Sequence, residues 1–326
     1  MDAVAAPLLE VDDLQTHFDT VGGTVRAVDG VSWKLDAGET LGIVGESGCG
    51  KSVTALSVLR LVPTPPARHG GRVRLRGADL LRLDERGMRA IRGNRISMIF
   101  QEPMTSLNPV LSIGRQIAET VAVHGHASGR AARERAIEML RLVQIAEPER
   151  RVDEYPHQLS GGMRQRVMIA LALACGPEVL IADEPTTALD VTIQAQILDL
   201  LKQLVAETGT ALVMITHDLG VVAGLCDRVN VLYGGRIVER AERHELFRTP
   251  RHPYTHGLLG SIPRLDGPPG EELAAIRGSV NDNLPWTDAC AFAPRCPRKL
   301  DACTAGTPPV TENGRLLRCI NPVEAS

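Results

Sequence analysis

Leu41-Gly42-Ile43-Val44-Gly45-Glu46-Ser47-Gly48-Cys49-Gly50-Lys51-Ser52 decides how the rest of the chain reads. Residues 41–44 are an apolar run of strand length, and the pattern Gly45-x-x-x-x-Gly50-Lys51-Ser52 follows without a break. Residues 53–61 then continue as an apolar, helix-permitting segment. Strand, glycine-rich loop and helix, in that order, form the setting in which such a loop cradles phosphate. Gly45, Gly48 and Gly50 allow the backbone to bend until its N–H groups face phosphate oxygens. The helix N-terminus adds partial positive charge at the same place. Gly45, Glu46, Ser47, Gly48, Cys49, Gly50, Lys51, Ser52 and Val53 are therefore the candidate phosphate site. Lys51 would reach the β- and γ-phosphates, and Ser52 would bind magnesium. The bland alternative is a glycine-rich turn with a surface lysine.

Length and composition bound what this loop can belong to. The chain has 326 residues, enough for one large α/β domain and a smaller one. Hydrophobic residues make up 44% and aromatic residues only 3%, so the expected core is aliphatic. A net charge of −3 gives no argument for nucleic-acid binding. Met1-Asp2-Ala3 lacks the basic start of a secretory signal, and the longest apolar run, residues 167–175, is too short to span a bilayer. The expectation is a soluble or peripheral cytoplasmic protein, in which the seven cysteines are not disulfides.

Outward from the loop, residues 8–11, 25–28 and 31–35 read as short strands with turns at Gly22-Gly23 and Asp36-Ala37-Gly38. Phe18 precedes the first turn, where its ring either lies under a nucleotide base or simply packs. Residues 71–75 and 95–100 read as further strands. Gln101 follows the second, where a polar residue either faces a ligand crevice or is an ordinary loop glutamine. From 110 to 175 the character becomes helical. Ala132, Ala136, Met139, Leu140 and Val143 mark one helix face. His124 and His126 flank Gly125 in a loop with no third ligand nearby, which favours a surface position over a metal site. Ser160 can cap a helix, and Gly161 and Gly162 expose N–H groups at its start; this is a second anion-binding helix end or a plain capped helix.

Residues 179–184 form an apolar strand ending in two carboxylates. Asp183 is placed to hold magnesium, directly or through water, and Glu184 to polarise an attacking water. Asp190 opens a helix whose face carries Ile193, Ile197, Leu200, Leu201 and Leu204. Another buried strand, 211–215, ends at His217, which either meets a γ-phosphate or is a satisfied structural histidine. Residues 229–233 and 236–239 read as a hairpin around Gly234-Gly235. After residue 246, Pro250, Pro253, Pro263, Pro268 and Pro269 mark an irregular stretch. Cys290, Cys296, Cys303 and Cys319 then follow with gaps of five, six and fifteen residues. Four thiols so grouped suit an iron–sulfur cluster or structural zinc, and the absence of a tight C-x-x-C knuckle favours the cluster. Cys49, Cys175 and Cys226 read as ordinary buried or loop cysteines.

Taken in order, these motifs resemble the nucleotide-binding subunit of an ABC transporter over residues 8–245, most closely the ATPase subunits of bacterial oligopeptide and dipeptide importers, whose group includes nickel importers. The resemblance implies an α/β P-loop NTPase of ABC type with a helical subdomain at about 105–175. Residues 246–326 would then be a small, irregular, cysteine-rich C-terminal domain. It makes residues 45–52 the Walker A loop and Gln101 the Q-loop glutamine that senses magnesium. Residues 159–166 become the signature motif, with Met163 where the wider family has glutamine, as is frequent in the peptide-importer branch. Residues 179–184 match Walker B with Glu184 as catalytic glutamate, Ala188-Leu189-Asp190 the D-loop, His217 the switch histidine, and Phe18 the base-stacking aromatic. His252-Pro253-Tyr254-Thr255 and the late cysteines are similar to the extension of the peptide-importer subfamily, whose cysteines can ligate a 4Fe–4S cluster.

The implied cofactors are ATP, Mg2+ and that cluster, with zinc as the alternative. The implied partners are a second, related ATPase subunit whose nucleotide faces Ser160, Gly161 and Gly162, two transmembrane permease subunits and an extracellular or periplasmic substrate-binding protein. The implied location is the cytoplasmic face of the membrane, and the implied activity is ATP hydrolysis driving peptide import. The alternatives are import of nickel or another small solute, and a soluble ABC ATPase of DNA repair or translation. The single cassette and the lack of coiled-coil heptads weigh against the soluble class.

Overall fold

The computed structural model describes residues 6–101, 106–187, 189–262, 276–280, 288–305, 311–312 and 315–324. Expectations resting on Met1-Asp2-Ala3, Ala188, Pro263, Pro268 and Pro269 lie outside these residues. The chain divides into two compact units, one of residues 1–35, 40–81 and 215–326, the other of residues 36–39 and 82–214.

The first unit opens with a long antiparallel pair, β1 (Leu9–Thr20) and β2 (Gly23–Leu35), with Leu9 opposite Leu35 and Phe18 opposite Val25. Leu9, Leu14, Val28, Val31 and Leu35 point inward and are fully buried. The register shifts on either side of Leu14, where Asp13 takes a left-handed φ of 51°. Such bulges explain why the sequence reads as disconnected short strands: an extra residue breaks the two-residue alternation while the strand itself continues. Next come β3 (Thr40–Val44), buried throughout, and α1 (Lys51–Val58). β4 (Ala67–Leu75) and β5 (Ala78–Asp79) complete a four-stranded sheet in the order β2-β1-β4-β5.

The second unit is mainly helical. It contains α2 (Glu85–Ile91), β6 (Ile96–Ile99), α3 (Ile113–Val123), α4 (Gly129–Leu142), α5 (Pro148–Arg151), α6 (Gly161–Leu173), β7 (Val179–Asp183) and α7 (Val191–Thr208). The expected face of α4 is buried, including Ala132, Ala136, Met139 and Leu140, with Val143 just beyond it. β6 and β7 run parallel, Ile96 opposite Val179, and both are apolar enough for burial on two faces.

β8 (Ala211–Thr216) lies beside β7 and carries the chain back to the first unit. There α8 (Leu219–Leu225), β9 (Arg228–Tyr233), β10 (Arg236–Glu242), α9 (Arg243–Arg248), α10 (Pro253–Gly260) and α11 (Ala302–Ala305) follow, then β11 (Thr311–Glu312) and β12 (Leu316–Leu317). β9 runs parallel to β3, with Ile43 opposite Asn230. β10 pairs antiparallel with β9 as the expected hairpin, and β12 pairs with β10. Burial of Tyr233, Tyr254 and Phe292 gives this unit an aromatic cluster despite the low aromatic content of the chain. Among the described residues no helix is long and apolar enough to cross a membrane.

Candidate functional site

β3 delivers the chain to the glycine-rich loop, and α1 leaves it from Lys51. Backbone crowding dictates two of the glycines. At Gly50, where φ is +101°, a Cβ would stand 2.2 Å from the Ala27 carbonyl oxygen. At Gly45 it would stand 2.3 Å from that of Leu232. Gly50 is also the N-cap of α1 and supplies no capping side chain, so that helix end is left to the backbone. Lys51 is buried, and its Nζ donates to the carbonyls of Gly45 (2.8 Å) and Glu46 (3.1 Å). The ammonium is thereby held over the loop it would share with phosphates. Ser47 and Gly48 are exposed at the tip, while Ser52 and Val53 are half-buried in the first turn of α1. Burial of Cys49 pushes its thiol up to about 11, which makes it a packing residue and no nucleophile. Phe18 sits half-buried on β1 between Val25 and Ala67. His217 is exposed directly after β8, one residue before Asp218, which caps α8 by accepting from the Gly220 amide at 2.7 Å.

The second unit gathers the acidic and glycine-led motifs. Asp183 ends β7 and is buried. Glu184, also buried, takes a left-handed φ of 46°, costly for a residue with a Cβ. Gln101 Nε2 donates to Glu184 Oε2 at 3.1 Å, so two sequence-selected residues 83 positions apart meet. Thr187 Oγ1 donates to the same oxygen at 2.9 Å. Nothing in the sequence singles out Thr187 beyond its closeness to the acidic turn.

Ser160 caps α6 by accepting from the Met163 amide at 3.3 Å, and Asp190 caps α7 by accepting from the Ile193 amide at 2.9 Å. The two glycines after Ser160 are not equivalent. A Cβ on Gly161 would sit 3.6 Å from Leu189 Cδ2, ordinary contact, but one on Gly162 would lie 2.8 Å from Ile193 Cγ2. Gly162 is therefore required for α6 to start beside α7, a packing role the sequence does not reveal. His126 Nε2 lies 2.8 Å from Asn94 Oδ1. Burial holds the nearby His124 below the usual imidazole range.

In the C-terminal part, the four late cysteines come together. Cys290, Cys296, Cys303 and Cys319 line one narrow apolar cavity, with His252 and Phe292 in its wall. Burial raises the Cys290 and Cys296 thiols. Burial, with the other three sulfurs adding to it, pushes Cys319 up to about 11. The Leu300 amide donates to Cys303 Sγ at 3.5 Å. His252 accepts from the Tyr254 amide through Nδ1, which places the proton of its neutral ring on Nε2, with the Arg318 backbone as the ring's other polar neighbour. All seven cysteines are unpaired thiols. Among the described residues no group of three or more His, Cys, Asp or Glu side chains stands where it could hold a metal ion, so the expected iron–sulfur or zinc site finds no preformed geometry there. Cys175 Sγ is 3.7 Å from the Thr120 carbonyl, and burial lifts Cys226 to about 12.

A strand–phosphate loop–helix in one unit, with an acidic strand tip and a glycine-led capped helix in the other, defines an ATP-binding cassette of the ABC type. Residues 28–187 match the ABC transporter family, and residues 238–303 match the oligopeptide/dipeptide transporter C-terminal region. The chain belongs to the ATP-binding proteins of peptide ABC transporters, and it is an ATPase. It is 52% identical over 317 residues to the oligopeptide transport ATP-binding protein AppD of Bacillus subtilis, covering 96% of each chain. It is 53% identical over 297 residues to the dipeptide transport ATP-binding protein DppD of the same organism, covering 91% of this chain and 88% of that one. Among solved structures it is similar to the ATP-binding cassette MJ0796 in a dimeric post-hydrolysis state bound to ADP and Pi. The TM-score is 0.64 at 30% identity, over 72% of this chain and 98% of that one.

Proposed function

We propose that this chain is the ATP-hydrolysing subunit that powers uptake of di- and oligopeptides through a separate permease, from the cytoplasmic face of the membrane. The observation that carries the reading is the continuity of the likeness: peptide-transporter relatives align with nearly the whole chain, including the segment beyond the nucleotide motifs. The division that goes with it is a nucleotide-binding domain at 1–245, with its helical subdomain at about 105–175, and an extension at 246–326.

In this reading Lys51 binds the β- and γ-phosphates, loop amides 45–53 cradle them, and Phe18 stacks on the adenine. Magnesium, which neutralises phosphate charge when bound with the nucleotide, would be held by Ser52, Gln101 and Asp183. Glu184 takes the proton of the attacking water, with Gln101 and Thr187 orienting its carboxylate. His217 contacts the γ-phosphate. Ser160, Gly161 and Gly162, with Asp190, serve the nucleotide of a second, related ATPase subunit. The assembly would include two permease subunits and an extracellular or periplasmic substrate-binding protein.

Glu184→Gln tests this. Measured in the assembled transporter, it should bind ATP, accumulate as an ATP-bound dimer, and hydrolyse at least about 10²-fold more slowly. Turnover like that of the unaltered protein would remove Glu184 from its role.

The C-terminal cysteines belong to the same proposal. Four soft ligands on one narrow apolar cavity fit a sulfur-rich group. Cys290, Cys296, Cys303 and Cys319 would hold a 4Fe–4S cluster. Such a group supplies a structural staple or an electron-accepting centre. Zinc remains the alternative.

A further inference from the structure

Glu46 is an anomaly of charge. It places a carboxylate second in a loop whose purpose is to receive several negative phosphate charges. An acid at that position repels the ligand unless something neutralises it. The structure supplies that group from the far end of the same unit. Arg295 Nη1 donates to Glu46 Oε2 at 2.6 Å, and Nη2 donates to Oε1 at 2.9 Å. The Arg295 side chain is only 3% exposed. Its other hydrogen bonds stay in its own neighbourhood: Nε to the Arg277 carbonyl at 2.7 Å, Nη2 to the Gly278 and Ile276 carbonyls at 3.1 and 3.3 Å, and Nη1 to Tyr233 Oη at 3.3 Å. The guanidinium also lies 5.8 Å from the centre of the Tyr233 ring. It is therefore fixed before it meets Glu46, and a fixed fork against a carboxylate is worth more than an exposed ion pair.

A second contact reaches the same residue. The Glu46 amide donates to Tyr254 Oη at 2.8 Å. Tyr254 is fully buried against Tyr233 and Phe292, with ring centres 4.7 and 5.3 Å away. Glu46 in turn holds Lys51, whose Nζ donates to its carbonyl at 3.1 Å. The phosphate loop is thus gripped at one residue by a side-chain fork and by a backbone bond, both delivered by residues beyond 250.

We propose that Arg295 is a positioning residue for the phosphate loop: it cancels the charge of Glu46 and fixes the loop in the shape that accepts ATP, so that the C-terminal segment sets nucleotide affinity. The role is in binding, and hydrolysis of ATP already bound does not depend on it.

The experiment is a double-mutant cycle on the full chain in its transporter, read by MgATP affinity and by KM against kcat. Arg295→Gln should weaken MgATP about tenfold in Kd and KM, equivalent to a loss of ~1.4 kcal/mol, with kcat within about twofold. Adding Glu46→Gln should recover at least about half of that loss on a logarithmic scale, because the uncompensated charge is then gone. A residue that merely stabilises the fold would lower the melting temperature without this rescue. The proposal falls if Arg295→Gln binds MgATP within about twofold of the unaltered protein, or if the double variant binds no better than the single one. Should Arg295→Gln fail to fold, Arg295→Lys keeps the charge and loses the fork. It should cost about threefold in affinity, and an unchanged affinity overturns the proposal.

Discussion

At the scale of single residues, the phosphate loop is legible in the sequence because local geometry defines it. Gly45, Gly50, Lys51 and Ser52 are tied to a strand on one side and a helix on the other, within a dozen positions. Glu184 is legible as an acid at a strand tip, but its left-handed backbone and its bonds to Gln101 and Thr187 are not. Those depend on β6 and β7 lying side by side, which pairs Ile99 with Ala182 and sets the following residues next to each other.

His252 shows how burial turns a residue into a measurable pH response. Burial drives its pKa down to about 3, against about 6.5 in an unfolded chain. Between those values the unfolded chain takes up a proton that the folded one refuses. Stability is therefore full above about pH 6.5 and drains by about 1.4 kcal/mol per unit as the pH falls toward 3. His252→Asn keeps an acceptor for the Tyr254 amide at the start of α10 and does not titrate. Its unfolding free energy should fall less steeply between pH 6.5 and 4.5, by about one proton's worth of slope. Denaturant melts at several pH values check this, and equal slopes would contradict it.

At the scale of elements, periodicity serves helices well and bulged strands poorly. The offsets in α4 and α7 identify buried faces, with Ile193 of α7 only half-buried, whereas β1 and β2 run through the breaks that their bulges put into the alternation. The start of α6 carries a packing constraint and a chemical one at once. Gly162→Ala would press a methyl group on Ile193 Cγ2 from 2.8 Å, an overpacking that costs about 1–3 kcal/mol. The expected result is a lower melting temperature and slower hydrolysis, with ATP binding at this chain's own loop retained. Adding Ile193→Ala should restore most of the melting temperature. Hydrolysis that returned with it would show that Gly162 matters for packing alone, and hydrolysis that stayed low is the result expected if the start of α6 must stay free of side chains for the nucleotide of the second subunit.

At the scale of the whole molecule, the reading from sequence places a boundary near residue 245, because prolines appear and aliphatic periodicity ends there. Residues 215–326 also share one compact unit with the phosphate loop. The contacts of Arg295 and Tyr254 on Glu46 span more than 200 positions and leave no local trace in composition. The segment holding the four cysteines is poor in aliphatic residues. A bound group would be a substantial part of what orders it. Protein purified without oxygen should accordingly be brown and contain iron and acid-labile sulfide. Cys296→Ser should bleach it and raise hydrogen exchange in residues 288–305 and 315–324 while β3 and α1 stay protected. One zinc per chain in a colourless preparation would select the zinc alternative, and metal-free protein with a protected segment would dismiss both.

The separation between Glu46 and Arg295 also has a meaning in time. They lie 249 residues apart, and a ribosome adding roughly 5–20 residues per second puts about 12–50 s between their appearances. Throughout that interval the nascent chain displays a phosphate loop whose acid has no counter-charge. A fragment released before residue 295 would keep it that way permanently. The emergence of Arg295 and full affinity for nucleotide thereby coincide, and chains that stop short of it compete for ATP at a disadvantage set by the position of a single arginine.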